Sequence, residues 1–468
     1  MASSLGVVVL AAGLGKRMRS SLPKVLHEAA GKPLVYYPVQ AARALGPREI
    51  VVVASPAAKA NVEALFSARA ENLSIVVQER PGGTGEAAGL GLAALRSERV
   101  LILCGDTPLL KSEDLERVLQ VQDTPPKPAL CVMTCRLEDP SGYGRILRDA
   151  EGRVLGVCED RDLESDAAQA IDEVNSGVYA GQRSVLVEAL SHVSLGNAQG
   201  ERYLTDVVAL LSRDGRVATV EGDPTALIGV NDREQLARVE ELLYASIRRR
   251  HAAAGVTVRG DARIDAEVEI GPDSVIQAGV HLRGKTRVGS GAIIDVGCVV
   301  VDSDVGDGAL LKPYSVITSS QVGPAAQIGP FAHLRPDCVI EAEAKIGAFV
   351  ETKKSRVRRG AKANHLSYLG DTDVGEKANI GAGTVVCNYN GFEKHRTVIG
   401  RGAFIGSGAK LVAPVTVGDN AYVATSTTVT QDVPSEALAI GRVRQTNKPN
   451  YAPKLREKLS SSKTDRRR

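Results

Sequence analysis

Aromatic residues are scarce in this chain of 468 residues: they make up 3% of it, and tryptophan is absent. Large rings normally fill much of the core of a globular domain, so their scarcity excludes an ordinary core along the whole length. Apolar residues nevertheless reach 43%. We therefore expect part of the chain to be packed with aliphatic side chains alone.

The sequence also lacks the features of membrane and exported proteins. No run of about 18 apolar residues occurs, so no transmembrane helix is predicted. The first residues lack the basic segment of a signal peptide and lead directly into an apolar stretch. We expect a cytoplasmic protein without membrane insertion.

Neither the charge nor the cysteines suggest a polymer partner or a zinc site. The net charge is +3, from 58 basic and 55 acidic residues, and no extended basic face is implied, so nucleic acid is not an expected partner. The seven cysteines include no CxxC pair. We expect them to be reduced and structural.

The first half of the chain has the pattern of an α/β domain. Short β-branched runs at residues 7–10 and 50–53 flank an amphipathic stretch at residues 33–44. Further strands are predicted at residues 74–78, 100–103, 129–136, 154–158 and 177–180, and helices at 85–95 and 205–211. This predicts a Rossmann-like fold over residues 1–231 with a mostly parallel sheet, whose ligands bind beyond the carboxyl ends of the strands.

The second half follows a period of six residues. After a charged segment that predicts a linker helix at residues 232–255, aliphatic residues recur at every sixth position from Val258 to Val300 and from Ile399 to Val429. Such a period indicates a parallel β-helix, here over residues 256–449, and its aliphatic interior accounts for the scarcity of rings. The period is broken between Val386 and Ile399, which predicts a protruding loop. The polar tail, residues 450–468, is expected to be disordered.

A glycine-rich turn follows the first predicted strand. Gly13 and Gly15 would let backbone N–H groups approach phosphate oxygens, and Arg17 and Lys24 would supply positive charge. Asp106, at the end of another strand, is a natural ligand for Mg²⁺, which prefers one or two carboxylates together with phosphate oxygens and water. The alternatives are that the glycines serve only turns and that Asp106 is a helix N-cap.

Polar residues in the repeat region point to a second site. Arg335, Lys353 and Lys394 would form a cationic cradle for a sugar phosphate, and His365 would accept a proton from an attacking amine. Taken singly, each has a structural alternative, since Arg335 and Lys353 could be solvated and His365 could be structural.

Two motif sets carry a family resemblance. The pattern L-x-x-G-x-G-x-R-M from Leu10 to Met18, followed by Pro23-Lys24, resembles the signature of sugar nucleotidyltransferases. Together with the repeat region, the chain from about residue 7 to 445 resembles the bacterial bifunctional GlmU-type enzymes. The resemblance implies an N-terminal uridylyltransferase, a C-terminal left-handed β-helix acetyltransferase and a homotrimer with shared acetyl sites. It also implies UDP-N-acetylglucosamine as the product, a precursor of peptidoglycan and lipopolysaccharide.

The resemblance implies roles for residues of the N-terminal half. Asp106 and Asn231 would hold Mg²⁺, and Lys24 and Arg17 would be catalytic. UTP and the sugar nucleotide would be bound by Leu10, Ala11, Ala12, Gly13, Lys24, Gln78, Gly83, Thr84, Cys104, Gly105, Asp106, Gly144, Glu159, Asn175 and Asn231. Cys104 departs from the family, which often has an aromatic residue there, so base selectivity is the property affected.

In the C-terminal half the resemblance makes His365 the general base. Glucosamine 1-phosphate would be bound by Arg335, Lys353, Tyr368, Asn379 and Lys394, and the co-substrate acetyl-CoA by Ala382, Asn388, Tyr389, Ser407, Thr425 and Arg442. Thr425 stands where a small apolar residue is common, and Glu351 has no role that the sequence decides. The structural alternatives are an asparagine ladder at Asn379 and simple turns at Ser407 and Thr425.

Two other functions are compatible with parts of this pattern. A single-activity sugar-1-phosphate nucleotidyltransferase with a structural β-helix would have neither a histidine at a coil turn nor a loop that breaks the period, and both are present. A scaffolding trimer with decayed sites would have lost Lys24, Asp106 or His365, and all three remain.

Overall fold

The computed structural model describes residues 4–67, 72–163, 165–194, 200–213 and 215–464. The chain divides into two compact units. The first comprises the chain up to Arg250 together with Ile264–Ala266, and the second comprises His251–Arg263 and the chain from Glu267 onward. The predicted fold class, an α/β domain followed by a parallel β-helix of hexapeptide repeats, is confirmed.

The first unit is built on a nine-stranded sheet in the order β11-β7-β10-β6-β1-β4-β5, with β8 paired to β10 and β9 paired to β8. Strands β6, β1, β4 and β5 are parallel neighbours, whereas β10 runs antiparallel to β6 and β7. A two-stranded ribbon, β2-β3, lies apart from it. The strands are β1 Leu5–Ala11, β2 Glu28–Ala29, β3 Lys32–Pro33, β4 Glu49–Ala54, β5 Leu73–Val77, β6 Arg99–Cys104, β7 Leu130–Arg136, β8 Arg145–Arg148, β9 Val154–Cys158, β10 Glu173–Gln182 and β11 Val217–Glu221.

Helices cover both faces of this sheet, as expected for parallel strands that are apolar on both sides. Val7, Val8 and Val9 in β1 are fully buried, so adjacent residues face opposite cores. The helices are α1 Tyr36–Ala44, α2 Pro56–Phe66, α3 Gly83–Ala94, α4 Ser112–Asp123, α5 Asp166–Gln169, α6 Arg183–Ser191 and α7 Asp206–Ser212. Helix α8, Arg233–Ala253, follows them where the sequence predicts a linker helix.

The second unit consists of short parallel strands in three sheets, and each strand pairs with the strand three places further along the chain. Three strands therefore make one coil. Face 1 contains Thr257–Val258, Val275–Ile276, Ile293–Ile294, Leu310–Leu311, Gln327–Ile328, Lys345–Ala348, Lys362–His365, Asn379–Ile380, Phe404–Ile405, Tyr422–Val423 and Leu438–Ala439. Face 2 contains Arg263–Ile264, His281–Arg283, Val299–Val301, Val316–Thr318, His333–Leu334, Glu351–Lys353, Tyr368–Gly370, Val385–Cys387, Lys410–Val412 and Thr428–Val429. Face 3 contains Glu269–Ile270, Arg287–Val288, Asp304–Val305, Gln321–Val322, Val339–Ile340, Arg356–Val357, Thr372–Val374, Thr397–Ile399 and Val415–Val417.

The interior of the β-helix is aliphatic, as predicted. The periodic residues Ile294, Val300 and Leu411 are fully buried on their strands, and no aromatic ring belongs to the buried set in the described part of this unit. The rings that the unit does contain, such as Phe331 and Tyr422, are exposed. The low aromatic content is thus a direct consequence of the coil geometry.

Coils occur in two lengths, and the difference lies at one corner. Ile276 pairs with Ile294, 18 residues on, whereas Val300 pairs with Ile317, 17 residues on. Each short coil has a non-glycine residue with positive φ between face 2 and face 3, followed by a buried serine or threonine whose hydroxyl donates to the carbonyl two residues earlier. These serine and threonine residues are Ser303, Ser320, Ser355 and Thr372, with donor–acceptor distances of 2.7–2.8 Å.

The tail differs from the expectation of disorder. Residues Tyr451–Thr464 form helix α9, whose side chains are exposed wherever they are described. Good helix formers such as Lys454, Leu455 and Glu457 dominate this segment, so local propensity accounts for the helix without a packed face. No helix in the described part of the chain is both long and apolar enough to cross a membrane.

Candidate functional site

The first candidate site lies at the carboxyl ends of β1 and β6. Leu10 in β1 pairs with Cys104 in β6, and the carbonyl of Leu10 accepts the N–H of Gly105 at 2.8 Å. Because the two strands are parallel neighbours, Ala11, Ala12 and Gly13 emerge beside Asp106. The sequence prediction that these two segments meet at one edge of the sheet is therefore met by the topology.

Three polar side chains converge at this edge around one positive charge. The ammonium of Lys24 forms an ion pair with the carboxylate of Asp106 and donates to Asn231 Oδ1 at 3.2 Å. Lys24 and Asp106 retain only 13% and 19% side-chain exposure, so this pair is shielded from solvent more than a surface pair. Asp106 does not cap a helix, because the nearest one, α4, begins at Ser112.

The oxygens of Asp106 and Asn231 suit a magnesium ion. Both face a single cation, the Lys24 ammonium, and a carboxylate with one neutral oxygen leaves room for phosphate and water ligands. No cluster of three or more His, Cys, Asp or Glu side chains that could hold a metal occurs among the described residues. A fully protein-ligated metal is therefore not what this donor set favours.

The two glycines of the first turn differ in their roles. Gly15 has a φ of +59°, and a Cβ there would lie 2.5 Å from Lys24 Cβ, so this glycine is required by the turn itself. Gly13 is different, since a Cβ would meet no described atom within 4 Å. The space beside Gly13 is consistent with an approaching phosphate. Arg17, in the short helical turn Lys16–Met18, is exposed, and its Nη1 would lie 3.7 Å from a Cβ on Gly142.

The residues predicted to contact the uracil are held by a second set of hydrogen bonds. Gln78 follows β5, and its side-chain Nε2 donates to the Gly83 carbonyl at 3.2 Å and to Glu86 Oε2 at 2.7 Å. Thr84 Oγ1 accepts the N–H of Leu204 at 3.0 Å. Glu86 was not predicted from the sequence, and its signal would have been its position one helical turn after Gly82.

The predicted sugar-contacting residues also lie together. The backbone N–H of Asn175 donates to the Gly144 carbonyl at 2.8 Å, and a Cβ on Gly144 would lie 3.5 Å from Glu159 Oε2. Burial raises the pKa of Glu159, and the nearby carboxylates raise it further, against the hydrogen bond that Thr205 donates at 2.8 Å. Glu159 is thus a half-buried group with a fixed partner rather than a surface charge.

Tyr143, between Ser141-Gly142 and Gly144, was not singled out from the sequence although it belongs to the quoted GYGR segment. Its hydroxyl accepts the N–H of Gly229 at 3.3 Å, which places it two residues from Asn231 along the chain. Burial raises the pKa of Tyr143, so the phenol is neutral at ordinary pH. Cys104 is also neutral, because burial raises the pKa of its thiol to about 12.

The second candidate site begins on the corner between face 1 and face 2. His365, Ala382, Ser407 and Thr425 occupy this corner on successive coils. Their backbone carbonyls form a chain of contacts: His365 accepts from Gly383 N–H at 3.3 Å, Ala382 from Gly408 at 2.7 Å, Ser407 from Ser426 at 2.8 Å, and Thr425 from Arg442 Nη1 at 2.6 Å. The structure therefore brings the predicted base and four predicted acetyl-CoA residues into one strip.

His365 ends a strand of face 1, and its imidazole is exposed. It has no side-chain hydrogen-bond partner within the residues that the structure describes. The next residue, Leu366, has a φ of +48° and is itself exposed. An exposed imidazole on a rigid corner can exchange protons with a ligand, and its setting excludes a buried structural role.

Face 2 carries the cationic group that the sequence predicts. The ammonium of Lys394 lies beside Lys353 and lowers the pKa of Lys353, and the charge of Arg335 acts in the same direction. Arg335 is held by Glu351, with Nη1 to Oε1 at 2.9 Å, which assigns Glu351 a positioning role. Three unneutralised or partly neutralised cations near one another form an anion site, because repulsion between them is relieved by a bound phosphate.

The loop that breaks the period is an anchored hairpin. Tyr389 bridges antiparallel to Lys394, and Asn390 Nδ2 lies 2.9 Å from His395 Nε2. At its start Asn388 Nδ2 donates to Asp371 Oδ2 at 2.5 Å. At its end, Arg396 donates to Asp373 at 2.9 Å.

Asp373 makes this anchor stronger. It also receives both a 2.9 Å and a 3.0 Å hydrogen bond from Arg358, and the Arg358 guanidinium holds the pKa of Asp373 below its usual range. Neither Asp371 nor Asp373 was predicted from the sequence. Their only signal is the position one coil below the loop, which requires the coil register to be known.

The remaining predicted residues lie on neighbouring strands. Tyr368 starts a strand of face 2 and pairs with Glu351. Its hydroxyl oxygen would lie 2.6 Å from a Cβ on Gly370, so the phenol turns toward the end of face 2 that carries Lys353. Asn379 lies on face 1 between Lys362 and Phe404, and an asparagine ladder is excluded because neither neighbour is asparagine.

Comparison with known proteins is consistent with both units. A model of the MobA-like NTP transferase domain matches residues 7–189, and a model of bacterial transferase hexapeptide repeats matches residues 396–431. A protein of Sorangium cellulosum named bifunctional protein GlmU is 52% identical over 464 residues, covering 98% of each chain. Proteins with the same name from Trichlorobacter lovleyi and Stutzerimonas stutzeri are 46% and 45% identical over 96% and 95% of this chain and 98% of their own.

Full-length identity at this level, together with both domain types, excludes a single-activity nucleotidyltransferase with a purely structural β-helix. It also matches the two motif sets in their order along the chain. The chain belongs to the family of bifunctional GlmU proteins and is an enzyme with uridylyltransferase and acetyltransferase activities.

Proposed function

We propose that the chain carries out two consecutive steps with the residues described above. The second unit transfers an acetyl group from acetyl-CoA to the amine of glucosamine 1-phosphate. The first unit then transfers a uridylyl group from UTP to the N-acetylglucosamine 1-phosphate so formed. The observation that carries this proposal is the presence of two separate sets of charged groups, around Lys24 and Asp106 and around Lys353 and His365, on two independent scaffolds.

In uridylyl transfer, a phosphate oxygen of the sugar phosphate attacks the α-phosphorus of UTP. The bond from this phosphorus to the bridging oxygen breaks, and pyrophosphate leaves. The protein's contribution is to align the two phosphates and to neutralise their charge, which Lys24, Arg17 and the N–H groups near Gly13 can do. Asn175, Glu159 and Gly144 would hold the sugar, and Gln78 with Gly83 and Thr84 the uracil.

Asp106 and Asn231 would hold Mg²⁺ in this reaction. Bound there, the ion would neutralise phosphate charge and orient the leaving group. The convergence of both oxygens on the Lys24 ammonium supports the assignment, because it demonstrates a pocket adapted to positive charge. Lys24 would then be available to the phosphates.

In acetyl transfer, the amine nitrogen of glucosamine 1-phosphate attacks the thioester carbonyl. The new C–N bond forms, the C–S bond breaks, and the proton lost by nitrogen moves through His365 to the departing thiolate. Arg335, Lys353 and Lys394 would bind the sugar phosphate, with Tyr368 and Asn379 on the sugar. The corner strip of Ala382, Ser407, Thr425 and Arg442 would bind acetyl-CoA with Asn388 and Tyr389 of the loop.

We propose that the enzyme is a homotrimer assembled through a ridge of exposed rings. Tyr314, Phe331, Phe349 and Leu366 occupy the same corner position on four successive coils, with exposures of 48–63%. The rings stack, at centroid separations of 5.5 Å between Tyr314 and Phe331 and 5.2 Å between Phe331 and Phe349.

Two features of the ridge support a protein–protein contact. The same corner position is glycine on other coils, as at Gly297 and Gly383, whereas all four ridge residues have positive φ despite their bulk. A non-glycine residue in this conformation costs roughly 1–2 kcal/mol, and exposed apolar patches of this kind mark interaction sites. The ridge ends at Leu366, next to His365, so a second copy seated on it would lie at the acetyl site.

Replacing Phe331 and Phe349 by glycine should dissociate the assembly. Glycine relieves the positive-φ strain, so the thermal midpoint of the isolated chain should not fall, while the lost rings weaken association. Light scattering after gel filtration should show monomers at micromolar concentration. Acetyl transfer should fall and uridylyl transfer persist, and Leu155→Ser, an exposed apolar side chain of the first unit, serves as the control. An assembly that stays intact in the double variant would contradict the role of the ridge.

The function as a whole is tested by one assay. Purified protein is incubated with glucosamine 1-phosphate, acetyl-CoA, UTP and Mg²⁺, and UDP-N-acetylglucosamine is measured by chromatography, with each component omitted in turn. Product should require all four. We also propose a cytoplasmic location, in line with the seven free cysteines, which are typical of a reducing compartment.

A further inference from the structure

Tyr179 is a buried phenol at the candidate sugar site to which neither the sequence motifs nor the reaction assigns a role. It lies on β10, four residues after Asn175, and is only 3% exposed. Its hydroxyl oxygen accepts a hydrogen bond from Asn175 Nδ2 at 2.7 Å. Burial raises the pKa of Tyr179 well above its usual value, and the charge of Glu159 and the nearby Cys104 act in the same direction, so the phenol is neutral.

The Asn175 amide has a single orientation because two partners act on it together. Its Oδ1 accepts the backbone N–H of Gly177 at 3.1 Å, which identifies this atom as oxygen, and its Nδ2 therefore faces Tyr179. One amide proton and one oxygen lone pair are left, with no partner among the described residues. These are the groups that a sugar would meet.

A bulge in β10 makes this arrangement possible. The pairing of β10 with β7 shifts register between Asn175 and Tyr179, and Gly177 within the shift has a φ of +79°. Bulges commonly re-aim side chains next to active sites. Cys104, whose Sγ is 3.7 Å from the Gly177 carbonyl, lies against the same bulge, but a thiol is a weak hydrogen-bond donor. The phenol is therefore the strong polar group that faces Asn175.

We propose that Tyr179 is a positioning residue for the sugar 1-phosphate, which it serves by holding the Asn175 amide in the orientation that the sugar requires. The inference rests on the proposed uridylyl transfer and adds to it a determinant of sugar binding. It also separates sugar binding from nucleotide binding, because no residue assigned to UTP phosphates or uracil contacts the Tyr179 hydroxyl within the described ranges of the chain.

The test is Tyr179→Phe, which keeps the ring and removes only the hydroxyl. The KM for N-acetylglucosamine 1-phosphate should rise about 3- to 10-fold, the effect of one neutral hydrogen bond, while the KM for UTP and the thermal midpoint stay unchanged. Acetyl transfer by the same preparation is the internal control for folding. A wild-type KM for the sugar phosphate, or equal increases in both KM values, would overturn the inference.

A double-mutant cycle with Asn175→Ala distinguishes positioning from packing. If Tyr179 acts through Asn175, adding Tyr179→Phe to Asn175→Ala should change the sugar KM less than 2-fold, which is about the 0.3–0.5 kcal/mol scatter of independent sites. Full additivity of the two effects would count against the proposal. Failure of the wild-type enzyme to form UDP-N-acetylglucosamine at all would instead overturn the proposed function itself.

Discussion

Replacing His365 by alanine is expected to lower the rate of acetyl transfer to glucosamine 1-phosphate by about 100- to 10,000-fold, the usual contribution of a general base. Uridylyl transfer should be unchanged. The reason is that His365 is an exposed imidazole at the head of the corner strip, where it can receive the proton of the attacking amine, and it makes no side-chain contact in the described structure whose loss would destabilise the fold.

The two activities are measured separately, acetyl transfer by release of free CoA thiol and uridylyl transfer by pyrophosphate release from N-acetylglucosamine 1-phosphate and UTP. His333→Ala is the matched control, because His333 is also an exposed histidine on the β-helix and has no proposed role. An acetyl transfer rate within about 10-fold of wild type in His365→Ala, below the range for a general base, would remove this residue from the mechanism.

Replacing Asp106 by asparagine is expected to have the opposite pattern. The carboxylate balances the Lys24 ammonium and would supply the only charged metal ligand, so its loss should lower uridylyl transfer by at least about 100-fold, as the loss of one preorganised electrostatic group typically does. Acetyl transfer should be unaffected. The Mg²⁺ concentration for half-maximal activity should also rise.

The control for this substitution is Asp123→Asn, which removes another carboxylate that pairs with a cation, Arg99, in the same unit but is exposed. It should leave both activities and their Mg²⁺ dependence unchanged. Because each unit has its own core, the His365 and Asp106 variants should be complementary, and an equimolar mixture of stable homo-oligomers should make the final product. Loss of both activities from either substitution in folded protein would contradict two independent sites.

The architecture could be read from the sequence because both halves carry strong periodic signals. The run from Val7 to Leu10 and the aliphatic series from Val258 to Val300 each define one structural period, and the observed strands lie where those periods put them. The tail was different, since helix α9 depends on the propensities of individual residues and has no apolar periodicity to reveal it.

The sites were predicted as sets of residues, but not as geometry. Motifs identified Asp106 and Lys24, yet their ion pair depends on the loop after β1 turning back at Gly15. Tyr179 and Asp373 were missed for a similar reason. The first becomes polar in function only through the bulge at Gly177, and the second meets Arg396 only when coil lengths of 17 and 18 residues are counted correctly.

The coil geometry has a consequence for how this enzyme can vary. Because His365, Ala382, Ser407 and Thr425 repeat on one corner, insertion or deletion of a whole coil moves any group along the corner by about 4.8 Å, the spacing of paired strands. A single-residue insertion within a strand would instead turn its aliphatic side chains outward. The scaffold therefore acts as a ruler with fixed graduations, and the reach between base and thioester can change only in whole steps.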